Sequence, residues 1–267
     1  MLMPIGDSVK VCIFSRRDYK EIGVIRKAFE VVQPRKADIC IAVGGDGTFI
    51  RAAKSFDGPI LPVRGNDAGS AAYYSDVGID RIEEVCRLLK ERKYIVERIS
   101  HKLEVRYSGK RSYVINEALL RNGSSNVYFD IYISRGGKRR RVYPFVLGGD
   151  GVLVTGAIGS TAYNRAAGGP IIMDPDALCI TLLNPDGPLR NPVIVPDSST
   201  IEVDVVRYTG FLECDGVRLA KFKKGGRFSV KKSEKRLDVV RLDGFGEDTA
   251  QKLRRLILEK AVDKFSD

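Results

Sequence analysis

Two glycine-bracketed aspartates, in Gly44-Gly45-Asp46-Gly47-Thr48 and Gly148-Gly149-Asp150-Gly151-Val152, are the residues of this 267-residue chain best suited to chemistry. The first stands directly after the apolar run Ile39 to Val43 and before Phe49-Ile50-Arg51-Ala52-Ala53-Lys54, a stretch of helical composition. Glycines at a strand-to-helix turn let the backbone approach a phosphate, and the new helix turns N–H groups and its positive dipole end toward that anion. A carboxylate fixed in the same turn can accept a proton from a hydroxyl or hold a metal ion. The same residues also suit a plain Gly-rich turn capped by Asp46, so the motif alone leaves both readings open. No GxxxxGK[ST] occurs and no GxGxxG follows a strand, so phosphoryl transfer here would need different parts.

Other chemistries are poorly supplied. His101 is the only histidine, which excludes a His-rich zinc site, and no nucleophile signature accompanies it. Five cysteines at wide, irregular spacings, without a CxxC pair and mostly inside apolar runs, read as reduced packing residues. A net charge of +11 favours anionic partners. The densest basic run, Arg135 to Arg141, follows the alternating stretch Val127 to Ile133 and reads as a hairpin turn, either a solvated tip or a phosphate or subunit contact. Aromatic residues are not interleaved with these charges, so no specific nucleic-acid partner is expected. No window approaches the roughly 18 apolar residues of a membrane helix, and no secretion signal is expected from the residues at the N-terminus. A cytoplasmic protein without a membrane partner is expected.

The elements that must position these residues fall into two regimes. Up to about residue 98, Val9 to Phe14, a helical pattern over Asp18 to Phe29 and the strand Ile39 to Val43 follow βαβ order, which implies a parallel sheet with flanking helices. Asp80 precedes another helix, with Glu83 completing a capping-box pattern and Ile82, Val85, Cys86 and Leu89 forming its apolar stripe. Beyond residue 98 the period becomes two, in Leu103, Val105 and Tyr107, in Val127 to Ile133 and in Ile201 to Val205. The fold class is therefore α/β plus all-β: an N-terminal α/β domain over 1–98 and a β-rich domain over 99–245. A C-terminal helix over 246–267 packs back to complete the first domain, because its stripe of Ala250, Leu253, Ile257 and Ala261 cannot stay exposed alone.

Taken together, GGDGT, then Asn116-Glu117, then Gly149-Asp150-Gly151, Gly159-Ser160-Thr161-Ala162-Tyr163-Asn164 and Ala167-Gly168-Gly169-Pro170, resemble the NAD kinase family in content, order and spacing. Weaker echoes at Pro62-Val63-Arg64-Gly65, at Arg190 to Pro196 and at Cys214-Asp215-Gly216 extend the match from about Ile39 to Gly216. GGDGT is shared with lipid kinases; GSTAYN followed by AGGP, downstream of an NE pair, is far more specific. The resemblance implies the two-domain fold of that family, with the active site in the cleft between the domains. It implies transfer of a phosphoryl group from ATP or polyphosphate to the 2′-hydroxyl of the adenosine ribose of NAD, giving NADP. It places Asp46 as the base, Gly47 beside the phosphates, Asn116 and Glu117 on the adenosine half, and Asp150 on the other half of the dinucleotide. Thr161, Ala162, Tyr163, Asn164, Arg165 and Ala166 would line the pocket. Mg2+ held mainly through donor phosphates and a homodimer or homotetramer are implied likewise.

Several positions depart from the family pattern. Gly156-Ala157-Ile158 replaces a TPT segment, so Ile158 stands where a hydroxyl is usual; Gly148 replaces a frequent arginine; Val217 replaces a glutamine. These suggest a divergent branch, of archaeal type, and bear on substrate preference more than on reaction type. The rival readings are a lipid or sugar kinase using the same loop, and a non-catalytic dinucleotide-binding regulator. Because only net charge points to nucleic acid, DNA or RNA binding is expected to be weak and to vanish as salt approaches physiological levels, which a salt titration of a labelled duplex checks.

Overall fold

Every residue of Ile39–Val43 is buried, as in a strand covered on both faces. Around it the computed structural model describes residues 9–66 and 72–246. The chain divides into two compact units, one formed by the chain up to Arg98 and from Leu237 onward, the other by Ile99–Arg236.

In the first unit, β1 (Lys10–Ser15), α1 (Ile22–Ala28), β2 (Glu30–Val31), β3 (Ile39–Val43), α2 (Asp46–Ser55), β4 (Ile60–Arg64), β5 (Val77–Gly78) and α3 (Ile82–Lys90) follow in chain order. All their ladders are parallel: β1 pairs β2 and β3, and β4 pairs β3 and β5. The crossover helices bury Ile25 from α1 and Val85 and Leu89 from α3 against Ile41 and Val63 of the sheet. Two local readings differ from this outcome. Helix α1 is shorter than the pattern over Asp18 to Phe29, because Ile22 and Gly23 donate to the carbonyls of Tyr19 and Lys20 at 3.0 and 3.1 Å, in i+3 turns rather than helix. Asp80 and Glu83 do not form a capping box. A 3-10 turn over Ile79–Arg81 moves the cap position to Arg81, and Glu83 and Glu84 instead place negative charge in the first turn of α3.

Strand β6 (Tyr94–Tyr107) carries the chain into the second unit. There β7 (Lys110–Val114), β8 (Glu117–Asn122), β9 (Val127–Arg135), β10 (Lys138–Arg141), β11 (Leu147–Gly149) and β12 (Gly151–Gly156) come first. Two single-turn helices, α4 (Ala157–Ser160) and α5 (Tyr163–Ala166), interrupt the strands. Then follow β13 (Ala177–Leu183), β14 (Val193–Pro196), β15 (Thr200–Arg207), β16 (Gly210–Cys214), β17 (Val217–Phe222) and β18 (Arg227–Leu242). One antiparallel sheet has the order β14-β13-β12-β8-β16-β17. The other ladder of this unit runs β10-β9-β15-β18, with β11 on β9 and the β6–β7 hairpin on β18. Alternation sends Val127, Phe129 and Ile131 of β9 and Ile201, Val203 and Val205 of β15 into one core with Val152, Val154 and Ile180 of the first sheet. The return to the first unit falls at Leu237, within β18, rather than after residue 245. It does so because one 16-residue strand serves both: its first half pairs β15, and Val239 lies parallel to Ile60 of β4. The C-terminal helix expected over 246–267 lies outside the described residues.

The basic run is a hairpin, turned at Gly136 and Gly137 with φ of +56° and +76°. Its arms are not simply solvated. Arg139 lies 3.3 Å from the centroid of the Tyr132 ring and pairs with Glu202 and Asp204, each at 3.0 Å, while Arg141 pairs with Asp130. Cross-strand carboxylates thus neutralise part of the run. His101 is half-buried, with Nδ1 3.1 Å from the carbonyl of Ser233. All five cysteines are buried and free; burial pushes the Cys86 thiol up to about 11, and the hydrogen bond with Cys12, together with burial, raises the Cys40 thiol well above its usual range.

Gly151 combines φ of +151° with a position where a Cβ would lie 1.8 Å from the carbonyl oxygen of Leu120. Gly151→Ala is therefore expected to lower unfolding free energy by at least about 2 kcal/mol. Gly136→Asn, in an open turn that asparagine tolerates, is expected to change it by less than about 0.5 kcal/mol. Urea denaturation of both variants checks the contrast.

Candidate active site

The Gly44 to Thr48 turn is shaped by contact rather than by freedom alone. Gly44 has φ of +145°, and a Cβ there would lie 2.5 Å from Thr48 Oγ1, so glycine lets the buried Thr48 fold back over the end of β3. Gly45 is the N-cap of α2, with no side-chain cap bond, and Asp46 is the first helical residue. This sets aside the reading of Asp46 as a mere cap. Its carboxylate sits in the first turn, where the helix dipole favours negative charge, and Oδ1 accepts from the Tyr74 N–H at 3.4 Å. Gly47 beside it is exposed. The Tyr74 ring stacks on Phe49 of α2, with centroids 4.5 Å apart. Arg241, near the end of β18, donates through Nη1 to the Tyr74 carbonyl at 3.1 Å and to Asp76 at 2.7 Å, and through Nε to Glu97 at 2.8 Å. Helix α2 and the segment before β5 are thereby fixed to the strands that cross between the units. Arg241 carries no motif, and the sequence offered no sign of this role.

In the second unit Asn116 directly precedes β8 and Glu117 is its first residue. The Asn116 carbonyl accepts from Thr155 Oγ1 at 2.6 Å. Helix α4 packs so closely on the same carbonyl that a Cβ at Gly159 would lie 2.0 Å from it. The GSTAYN segment is therefore wedged against the NE pair by backbone contact. Glu117 is buried and Asn116 partly exposed. Thr161, Ala162, Tyr163 and Arg165 are also partly exposed and Ala166 fully so; Tyr163 packs on Leu119, Leu153 and Leu183.

Asn164 behaves differently from its neighbours. It is fully buried, its Nδ2 donates to the Pro170 carbonyl at 2.8 Å, and its Oδ1 accepts from Thr181 Oγ1 at 2.6 Å. Gly169 packs on the same amide, where a Cβ would lie 2.2 Å from Oδ1. Ser160 is fully buried too, donating to the Ala157 carbonyl at 2.6 Å and accepting from the Ile172 N–H at 3.0 Å. Asn164 and Ser160 thus tie the GSTAYN and AGGP segments into one rigid loop. Ile158 is also buried.

Asp150 links β11 to β12 between two glycines in the left-handed region, with φ of +154° at Gly149 and +151° at Gly151. Its carboxylate is aimed by two amides: Asn122 Nδ2 donates to Oδ1 at 2.8 Å and Asn184 Nδ2 to Oδ2 at 2.7 Å. Neither asparagine was singled out in the sequence, since no motif marks them. At Gly148 a Cβ would lie 2.3 Å from Asp186 Oδ2 and 2.7 Å from the Tyr128 ring, so the arginine usual in the family would have to displace these side chains. The hydrogen bond to Asp186 raises the Tyr128 phenol above its ordinary range. Val217 is exposed.

The structure brings Asn116 and Glu117 together with the α4–α5 segment. It does not bring Asp150 to them: β12 pairs Thr155 with Glu117 at one end and Gly151 with Arg121 at the other. Four residues of strand, about 13 Å, separate those ends. Asp46 and Gly47 belong to the first unit. Among the described residues no group of three or more His, Cys, Asp or Glu side chains could hold a metal ion by itself.

A Gly-Asp turn at a helix N-terminus in a parallel α/β unit, followed by a β-rich unit with buried polar loops, is an architecture suited to binding an anionic ligand. Residues 5–94 match the model of the ATP-NAD kinase N-terminal domain and residues 115–242 that of its C-terminal domain. The chain is 31% identical over 216 residues to an NAD kinase of Mycolicibacterium paratuberculosis, covering 78% of this chain and 69% of that one. It is 30% identical over 213 residues to an NAD kinase of Rhodococcus jostii, covering 77% of this chain and 65% of the relative, just under two thirds of that protein's length. A yeast NADH kinase, solved in complex with NADH, superposes with a TM-score of 0.76 at 17% identity, covering 94% of this chain and 87% of that one, which shows the shared fold. The chain belongs to the NAD kinase family.

The buried amide gives a test that separates fold from contact. Asn164→Asp would place an acceptor against the Pro170 carbonyl, and is expected to lower stability by about 1–3 kcal/mol. If Asn164 served only a ligand, denaturation would be unchanged and dinucleotide affinity alone would fall.

Proposed function

We propose that this protein is an NAD kinase, transferring a phosphoryl group from ATP or polyphosphate to the 2′-hydroxyl of the adenosine ribose of NAD. The observation that carries this reading is the placement of Asp46 at the first helical position of α2, behind two glycines and outside the cap. A carboxylate there is held beside the anion-facing end of a helix, within reach of both a hydroxyl and phosphates. Family membership supports NAD and ATP as substrates, and the yeast relative's complex with NADH supports a dinucleotide acceptor.

In this reading the Gly45 to Thr48 backbone steadies the donor phosphates while Asp46 orients the ribose hydroxyl. As the oxygen attacks the terminal phosphorus, its proton passes to the Asp46 carboxylate, and the bond to the leaving ADP or shortened polyphosphate breaks. Positioning and charge stabilisation carry most of the rate. Asn116 and Glu117 read the adenosine ribose and base, with Thr161, Ala162, Tyr163 and Arg165 along the same pocket wall. Asp150, held between Asn122 and Asn184, suits the far end of a long ligand, because it stands a strand's length from Asn116. The residues present fit Mg2+ brought in on phosphates better than a metal caged by the protein: Asp46 offers one carboxylate, in keeping with how Mg2+ is usually bound. When bound, the ion neutralises developing charge on the phosphate oxygens.

The reading extends to a cytoplasmic homodimer or homotetramer. Among the described residues no helix is long and apolar enough to cross a membrane. A lipid or sugar kinase would leave the GSTAYN and AGGP loop, built around Asn164 and Gly159, without a ligand to explain it. A binding-only regulator would not need a carboxylate outside the cap.

NAD supplied with ATP, and separately with polyphosphate, in the presence of Mg2+ is expected to give NADP with at least one donor. Asp46→Asn is expected to lower turnover by at least ~100-fold while NAD affinity changes little. Near wild-type turnover in that variant would remove Asp46 from its role, and NAD binding without NADP would turn the reading toward the regulator.

A further inference from the structure

The aspartate of Cys214-Asp215-Gly216 lies 98 residues beyond the NE pair, yet its carboxylate collects the backbone N–H groups of three successive residues there. Oδ2 accepts from Ile115 at 3.0 Å, and Oδ1 accepts from Asn116 at 2.7 Å and from Glu117 at 3.3 Å. The Asp215 N–H returns a bond to the Glu117 carbonyl at 3.2 Å. Asp215 and Gly216 form the two-residue turn between β16 and β17, both with positive φ, at +46° and +75°. With Thr155 on the Asn116 carbonyl, the main chain of Asn116 is gripped on both sides, at its N–H by a carboxylate and at its C=O by a hydroxyl.

We propose that Asp215 is a positioning residue, which sets the backbone of Asn116 and Glu117 and through them the side chains that read the adenosine half of the substrate. The proposal rests on the NAD kinase reading above. Three converging N–H donors need an acceptor with two oxygens and no hydrogen of its own, and an ionised carboxylate is the side chain that offers this. An asparagine at 215 keeps the turn, since Asn-Gly tolerates the same positive φ, but turns an NH2 toward donors. A mere turn residue would be indifferent to that change. The sequence could not show the clamp, because a hairpin aspartate-glycine is explained by its turn alone.

The experiment compares wild type, Asp215→Asn, Asp215→Gly, Asn116→Ala and the Asn116→Ala/Asp215→Asn double variant. KM for NAD, KM for ATP and thermal midpoints are measured on each. Asp215→Asn is expected to raise KM for NAD about tenfold, with KM for ATP within about twofold. The double variant is expected to be no worse than Asn116→Ala alone, as for residues acting through one contact. Formate, a small carboxylate that fits the vacated place, is expected to restore Asp215→Gly and not Asn116→Ala. Additive losses in the double variant, or equal rises in both KM values, would overturn the proposal. Failure of wild type to make NADP would instead defeat the kinase reading. The clamp is then read by amide exchange at 115–117 in Asp215→Asn, where faster exchange supports it and unchanged exchange overturns it.

Discussion

Close approach of one backbone segment to another is the constraint on which the rest of this structure depends. At Gly151 and Gly159 a single added carbon would fall within 2.0 Å of a neighbouring carbonyl oxygen, and at Gly149 within 2.7 Å of one. These contacts leave no space for side chains, so glycine is required by geometry at all three positions and by φ as well at Gly149 and Gly151. They occur where strands deliver the segments that hold Asp150 and Asn116. A loop held this way loses little further freedom when a ligand arrives, which is how rigid positioning contributes to rate.

Polar residues in the same loops divide by burial. Asn164, Ser160, Thr155 and Thr181 are almost fully buried and bonded within the protein. Buried polar groups are costly unless satisfied, and once satisfied they specify one arrangement. Asp46, Asn116, Thr161, Tyr163 and Arg165 retain exposure. A motif such as GSTAYN therefore mixes two kinds of residue: its serine and asparagine build the loop, while its threonine, alanine and tyrosine remain on a surface. Motif membership alone cannot separate them, because both kinds are fixed by the same architecture.

The periodic parts of the fold were legible in the sequence for a physical reason. Ile39–Val43 is apolar throughout because both its faces are covered, and β9 and β15 alternate because one face meets the core. The end of α1 nearest Asp18, the cap of α3 and the return of the chain at Leu237 were not legible. They depend on i+3 turns, on a 3-10 turn and on a long strand shared between two units, none of which leaves a composition signal. In the candidate site, Asp46, Asn116 and Asp150 were readable from motifs. Asn122, Asn184 and Arg241, which aim or anchor them, act across 28, 34 and 165 residues respectively, in their bonds to Asp150 and Asp76.

The same division explains where the departures from the family pattern fall. At Gly148 the space beside the backbone is occupied by Asp186 and Tyr128, an acid and a phenol bonded to it. Ile158 is buried rather than displayed, so the hydroxyl lost there has been replaced by packing. Neither change touches the Gly44 to Thr48 turn, the Asn116 carbonyl or the Asp150 carboxylate. A site whose reacting groups are held by backbone contacts can vary its lining one side chain at a time, because those contacts do not depend on the lining. The Gly44 to Thr48 turn, which would perform phosphoryl transfer, is held by contacts to Thr48 and Tyr74 that neither Gly148 nor Ile158 makes.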